Sequence, residues 1–243
     1  MAVKTVQYKN TAFSVSYEIL NPHLSSDIIF LHGWGSNKAL MKQAFSKTLP
    51  SFRHIYIDMP GFGGSNCDIE LKTIDYAAIM ELFLEEINAH KHIILGHSFG
   101  GKVATLLNPE LLVLVASSGI VIPKSLKVRT KIAIFKLFKF TGLSRLRSLF
   151  VAPDAQGLSE CMYQTFKNVI NEDFSDIFRD YEGKVLLCFG DKDTATPLWS
   201  GQIMARLIHD SRLVAFSGDH YFLLKEGGSI AREIEQSMDT KEV

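Results

Sequence analysis

Gly96, Ser98 and Gly100 fall two residues apart, between an apolar run at 92–95 and a helix-patterned stretch at 99–107. In that strand–turn–helix setting, a G-x-S-x-G spacing presents the serine hydroxyl. The turn is too tight for flanking side chains, and the glycines remove the Cβ atoms that would collide with neighbouring backbone. Ser98 then stands at the carboxyl edge of a sheet and the positive end of a helix, where negative charge developing on a substrate is favoured. The chemistry this suits is acyl transfer by a serine nucleophile.

A serine hydroxyl attacks poorly at neutral pH and needs a base, itself held by a carboxylate. With the partners expected in the order serine, acid, histidine, only His209 and His220 of the eight histidines follow Ser98. His220 lies in the turn 216–222, just past an apolar run, where its ring can reach back over the sheet edge. His209 closes a helical stretch and suits the carboxyl end of that helix, so His220 is the expected base. For the acid, Asp191 and Asp193 share the turn after the run 184–189. Asp191 directly follows Gly190 and suits turn formation or capping, whereas Asp193 extends further toward the catalytic edge. Asp219 adjoins His220 and is poorly placed to orient its own neighbour.

The oxyanion of an acyl-transfer intermediate needs preorganised donors. One is expected from the backbone N–H of Phe99, the residue after the nucleophile. The other is expected from Trp34 in the loop His32-Gly33-Trp34-Gly35-Ser36, whose glycines let main chain approach a substrate. Gly33, Trp34 and Phe99 are accordingly the expected substrate contacts, with His32 as an anchor of the loop. The glycine-rich segment 58–65 lacks the lysine and spacing of a phosphate-binding loop and reads as a pocket wall.

The elements that must position these groups are legible as apolar runs at 27–32, 53–58, 92–95, 111–116, 184–189 and 211–216. Runs without polar alternation suit a parallel sheet covered on both faces. Helical patterns at 37–47, 74–89, 99–107, 198–208 and 229–238 alternate with them, which predicts an α/β fold with a doubly wound sheet. Strands near 6–8 and 13–19 alternate more and predict an antiparallel hairpin. Residues 121–180 break the rhythm with helical periodicity and no strand. They are expected to form a helical lid over the edge that exposes Ser98, inserted between core segments 1–120 and 181–243.

An apolar fraction of 47%, a charged fraction of 21% and zero formal net charge exclude disordered and fibrous classes and give no reason to expect nucleic-acid binding. Three cysteines, far apart in sequence and without ligand spacing, predict neither a disulfide framework nor a metal site. Cys188 is expected to be a small core hydrophobe. The amino terminus shows no signal-peptide core and no segment approaches the roughly 20 apolar residues of a membrane span, which predicts a cytoplasmic protein. Within the lid, 124–150 carries eight basic residues and no acid. That pattern fits a solvated helix face, steering of an anionic substrate or acidic carrier protein, or contact with an anionic membrane.

Taken together, the segments 32–35, 58–65, 96–101, 190–193 and 218–220 resemble the α/β-hydrolase superfamily in motif and in order. The resemblance implies Ser98 as nucleophile, Asp193 as acid, His220 as base, and no metal or organic cofactor. Serine at the elbow departs from the haloalkane dehalogenases and epoxide hydrolases, which carry aspartate there. The loops at 32–35 and 60–63 are similar to those of bacterial carboxylesterases of the pimeloyl-carrier-protein methyl esterase type. Overall size and lid position also resemble carbon–carbon bond hydrolases acting on 2-hydroxy-6-oxo-dienoates, although His97 and the Trp34 loop depart from that branch. The expected activity is thus a serine carboxylesterase on small or medium acyl esters. A dienoate hydrolase, or a ligand-binding or signalling protein without turnover, are the alternatives.

Overall fold

Alternate residues of the central strands face opposite ways, and both sets are apolar, so each strand needs a covered layer on either side. The computed structural model, which describes residues 2–121 and 159–239, supplies both layers. Its strands are β1 (Ala2–Tyr8), β2 (Thr11–Leu20), β3 (Asp27–Leu31), β4 (Arg53–Ile57), β5 (Ile93–His97), β6 (Leu111–Val115), β7 (Lys184–Gly190) and β8 (Ser211–Phe216). The helices are α1 (Lys38–Phe45), α2 (Thr73–Glu86), α3 (Phe99–Leu107), α4 (Glu160–Ile170), α5 (Ser175–Arg179), α6 (Leu198–Leu207) and α7 (Leu223–Asp239). One face of the sheet sends Ile29, Leu31, Ile94, Leu112 and Leu187 against α2 and α3. The other sends Ile28, Phe30, Leu95, Val113 and Cys188 against α1 and α7. Cys188 is the buried core residue the sequence predicts.

The strands lie in the order β1-β2-β4-β3-β5-β6-β7-β8. β1 and β2 form the expected antiparallel hairpin, and β2 also pairs antiparallel with β4. The remaining neighbours are parallel. The hairpin turn rests on Lys9 and Asn10, both at positive φ (48° and 62°), the twist that a two-residue connection between right-twisted strands requires. Chain progression reverses at β3, whose two neighbours are β4 and β5. That reversal opens a crevice above the carboxyl ends of β3 and β5, where open α/β sheets bind ligands.

Two features escape the sequence reading because they rest on contacts between residues far apart in the chain. α7 begins at Leu223, six residues before the pattern predicts, and runs through Gly227 and Gly228. A Cβ on Gly227 would collide with the Ala44 carbonyl oxygen of α1; this glycine permits close helix packing rather than ending a helix. Cys67 and Cys161, distant in sequence, are spatial neighbours: the Cys161 thiol lies 3.9 Å from the Cys67 carbonyl, and both cysteines are free. Burial pushes the Cys67 thiol up to about 12.

Of the expected lid, 159–180 contains α4 and α5 and no strand, while 122–158, with the whole of the basic stretch, lies outside the described residues. α4 is fixed to the core where the Leu71 N–H donates to Thr165 Oγ1 at 2.9 Å and Asn168 Nδ2 donates to the Leu71 carbonyl at 3.2 Å. No helix among the described residues is long and apolar enough to cross a membrane.

Candidate active site

Ser98 joins β5 to α3 at φ 52° and ψ −115°, a backbone state that costs a side-chain-bearing residue about 1–3 kcal/mol and persists only where neighbours enforce it. They do so through four bonds. The Ser98 N–H donates to the Val115 carbonyl at 3.1 Å. The Ser98 carbonyl accepts from the N–H groups of Gly101 (3.1 Å) and Ser118 (3.2 Å) and from the Ser118 hydroxyl (3.2 Å). The flanking glycines are sterically obligatory: a Cβ on Gly96 would collide with the Gly100 carbonyl, and one on Gly100 would sit 2.5 Å from the Leu31 oxygen.

The loop after β3 meets the elbow from the other side of the crevice. A Cβ on Gly33 would lie 3.0 Å from His97 Nδ1 and 3.1 Å from Ser98 Cβ, tighter than an ordinary contact, so glycine lets main chain approach the serine without displacing either side chain. His32 anchors the loop as expected. Its Nε2 accepts from the Met59 N–H at 3.0 Å, so its Nδ1 carries the proton and donates to the Gly33 carbonyl at 2.7 Å. Burial lowers the His32 pKa to about 4, keeping the ring neutral. Trp34 packs its indole against Phe62, Phe99 and Phe166, with ring centroids 4.9, 5.6 and 5.3 Å away.

The glycine-rich segment 58–65 buttresses that tryptophan through Phe62; its pocket-wall role lies not in the Ser98 crevice but in a second pocket beside α1, lined by Asp58, Gly63 and Gly64. Asp58 explains its shape. The buried carboxylate pairs with the Lys38 ammonium and accepts from the N–H groups of Lys38 (2.7 Å) and Gly64 (2.8 Å). Lys38 Nζ also donates to Ser16 Oγ at 2.9 Å.

From the far end of the sheet, the turn after β7 and the turn after β8 bring Asp193 and His220 together. His220 Nδ1 donates to Asp193 Oδ2 at 2.7 Å, the carboxylate being fully buried and the imidazole 18% exposed. That bond leaves His220 Nε2 as the unprotonated nitrogen. Asp193 Oδ1 accepts from the N–H groups of Ala195 (2.7 Å) and Thr196 (2.9 Å). Burial works to raise the Asp193 pKa, but the His220 and Thr196 hydrogen bonds outweigh it and hold the carboxyl below its ordinary value. Asp191 accepts instead from the Gly218 N–H at 2.9 Å, tying the two turns together. Asp219 caps its own turn through the Tyr221 N–H at 3.0 Å, and His209 is exposed beyond α6.

Ser98 and His220 line one cavity of about 520 Å³, whose walls include Trp34, Phe99, Lys102 and Phe166. No hydrogen bond joins the Ser98 hydroxyl to His220. Three groups escape the sequence reading. The Thr196 hydroxyl lies 2.9 Å from the Ala116 carbonyl and 2.8 Å from Asp193 Oδ2, so it braces the acid against β6; its signal is the spacing Asp-x-x-Thr. His97, wholly buried, donates from Nε2 to the His220 carbonyl at 3.0 Å, with its ring 4.8 Å from that of His220. Its Nδ1 has no partner among the described residues, and burial, with His220 next in effect, lowers its pKa to about 3. Lys102, the one charge in the segment Phe99–Leu107, is buried in the cavity wall.

A mostly parallel eight-stranded sheet with a strained serine turn after its fifth strand is the α/β-hydrolase fold. The chain belongs to the Alpha/beta hydrolase family, whose sequence model matches residues 28–232. It is 42% identical over 99 residues to the pimeloyl-[acyl-carrier protein] methyl ester esterase of Photobacterium profundum, a match covering 38% of this chain and 37% of that one. The matched stretch therefore spans little more than a third of that curated relative. An esterase from Exiguobacterium antarcticum superposes with a TM-score of 0.75 at 19% identity, covering 97% of this chain and 99% of that chain. A meta-cleavage product hydrolase from Pseudomonas fluorescens superposes with a TM-score of 0.69 at 17% identity, covering 97% of each chain. At such identities these two structures speak to fold.

Proposed function

We propose that the protein is a serine carboxylesterase acting on small or medium acyl esters. The observation that carries this reading is the Asp193–His220 hydrogen bond on the cavity that also exposes Ser98. In the proposed mechanism His220 Nε2 takes the proton of the Ser98 hydroxyl as Oγ attacks the ester carbonyl. Asp193 holds the ring and stabilises the imidazolium. The tetrahedral oxyanion is received by the N–H groups of Phe99 and Trp34. For Phe99 the support is its place as first residue of α3, where helical N–H groups lack intrahelical acceptors. For Trp34 it is the approach of Gly33 to the serine. His220 returns the proton to the departing alkoxide, and water then releases the acyl group by the reverse sequence. The absent Ser98–His220 hydrogen bond is one that forms as substrate enters, since such contacts often tighten only in the Michaelis complex.

The Photobacterium relative is named for an ester of an acyl-carrier protein, which supports a carrier-bound acyl group as one candidate substrate, in competition with an acyl group whose remote end is free. We assign residues 121–180 to the lid, its base being α4 with Phe166 against Trp34.

Steady-state kinetics over a series of esters, with a ring-fission dienoate alongside, tests the reading. Ester turnover is expected to fall by roughly 10⁴-fold or more in Ser98→Ala. A dienoate consumed much faster than any ester would replace carboxylesterase with carbon–carbon bond hydrolase, and unchanged turnover in Ser98→Ala would refute the mechanism.

A further inference from the structure

One buried charge in the cavity wall takes no part in the chemistry above. Lys102 follows Ser98 by four residues, on the same face of α3 and about 6 Å further along its axis. Its side chain is 2% exposed and its ammonium lies 5.8 Å from the Phe99 ring centroid and 5.3 Å from that of Phe174. Nζ donates to the Val169 carbonyl and faces Glu172 Oε2 at 3.5 Å, well beyond the roughly 2.7–2.9 Å of a close charge-assisted hydrogen bond. An ammonium has three N–H donors. One is used well, one poorly, and the third has no partner among the described residues. Burial pulls the Lys102 ammonium below the usual lysine range, against the opposing pull of Glu172. A lysine kept only for packing would be expected to have its hydrogen bonds met, because an unsatisfied buried charge is costly.

We propose that Lys102, with Glu172 as its resident counter-ion, is the acid-binding end of the acyl pocket and selects acyl chains that carry a free carboxylate at the end remote from the ester. The substrate class is then a monoester of a dicarboxylic acid. Glu172 can yield the ammonium at little cost: it is 28% exposed to water and its Oε2 accepts from the Thr73 hydroxyl. The phenyl rings of Phe99 and Phe174 shield the arriving ion pair, and charge-assisted bonds gain strength where water is excluded. Asn171 and Ser118 line the same cavity and supply further polar surface. The inference rests on the esterase reading, since it takes Ser98 to mark the ester end.

The test compares methyl monoesters of dicarboxylic acids with methyl esters of plain fatty acids of equal length. The ratio of kcat/KM, acid-bearing over neutral, is expected to exceed one in the unaltered protein. It should drop about tenfold or more in Lys102→Met, chiefly through KM, and recover in Lys102→Arg. In Glu172→Gln, where the competing carboxylate is gone, the ratio should rise. Calorimetry on Ser98→Ala reads binding without turnover: monomethyl adipate should bind at least about tenfold more tightly than methyl hexanoate, and the difference should vanish in Ser98→Ala/Lys102→Met. Equal ratios in the unaltered protein and Lys102→Met, an unmoved ratio in Glu172→Gln, or equal binding of the two esters would each overturn the proposal. A preference for the neutral ester, as an acyl group linked at its far end to a carrier would show, would overturn it too. Failure of the esterase reading looks different: no ester is hydrolysed at all, while the calorimetric comparison still reports on Lys102.

Discussion

Two buried lysines, each paired with a carboxylate, flank the catalytic crevice and are held to opposite standards. Beneath the loops that follow β3 and β4, Lys38 and Asp58 saturate each other: the carboxylate takes the ammonium and two backbone N–H groups, and the ammonium also reaches Ser16. Beside the cavity, Lys102 and Glu172 stand 3.5 Å apart. The histidines repeat the contrast. His32, under the first loop, has both ring nitrogens bonded, whereas His97, behind the elbow, has one without a partner among the described residues. On the proposals above, satisfied polar groups fix the scaffold and polar groups left short mark the side that receives the ligand. That difference, more than burial, separates structural charge from functional charge here.

The comparison can be broken most severely at the lysines. Lys38→Met leaves Asp58 charged and buried and should cost about 3–5 kcal/mol of stability in urea unfolding. Lys102→Met leaves Glu172 with Thr73 and water, and the orphaned Val169 carbonyl is partly offset by a buried methionine, so the cost should not exceed about 1 kcal/mol. Equal losses would dissolve the distinction. At the histidines the gap narrows. His32→Leu strands the Met59 N–H and should cost about 1–3 kcal/mol, and His97→Leu about 1 kcal/mol or less, by the same method.

The subtlest effect is on pH dependence. Both rings are buried neutral, His32 at about 4 and His97 at about 3, below the reference value of 6.5. The unfolded chain therefore binds protons that the folded chain refuses. Their share of the stability is full above pH 6.5 and falls as pH drops from there toward 4, the two rings together accounting for uptake of about two protons on unfolding at pH 5, in addition to that of His54, whose pKa burial also lowers. His97→Leu should reduce the slope of stability against pH in that window by about one proton; an unchanged slope would show that His97 titrates normally.

What the sequence reveals of this site is what short-range sterics impose. The elbow is readable because Gly96 and Gly100 answer to backbone a few residues away or on the adjoining β3. The strands are readable because a doubly covered strand admits no polar alternation. His220 follows from chain order and from its place just past an apolar run; Asp193 follows from the same kind of position taken together with the family resemblance, since Asp191 shares its turn. The remaining groups depend on contacts that no local pattern records. Thr196 braces Asp193 against the Ala116 carbonyl 80 residues away, and Lys102 meets Glu172 across 70. His97 earns its position from a carbonyl in the β8 turn. Gly227 misleads for the same reason, since the helix it packs against lies some 180 residues earlier.

The central claim is that Ser98 Oγ becomes covalently acylated with His220 as base. Rapid quenching of a slowly turned-over ester, followed by peptide mass spectrometry, measures this directly. One acyl group per chain should appear on the peptide containing Ser98, be absent in Ser98→Ala, and form far more slowly in His220→Ala. An acyl group on a different peptide, or ester hydrolysis by Ser98→Ala at the rate of the unaltered protein, would contradict the account.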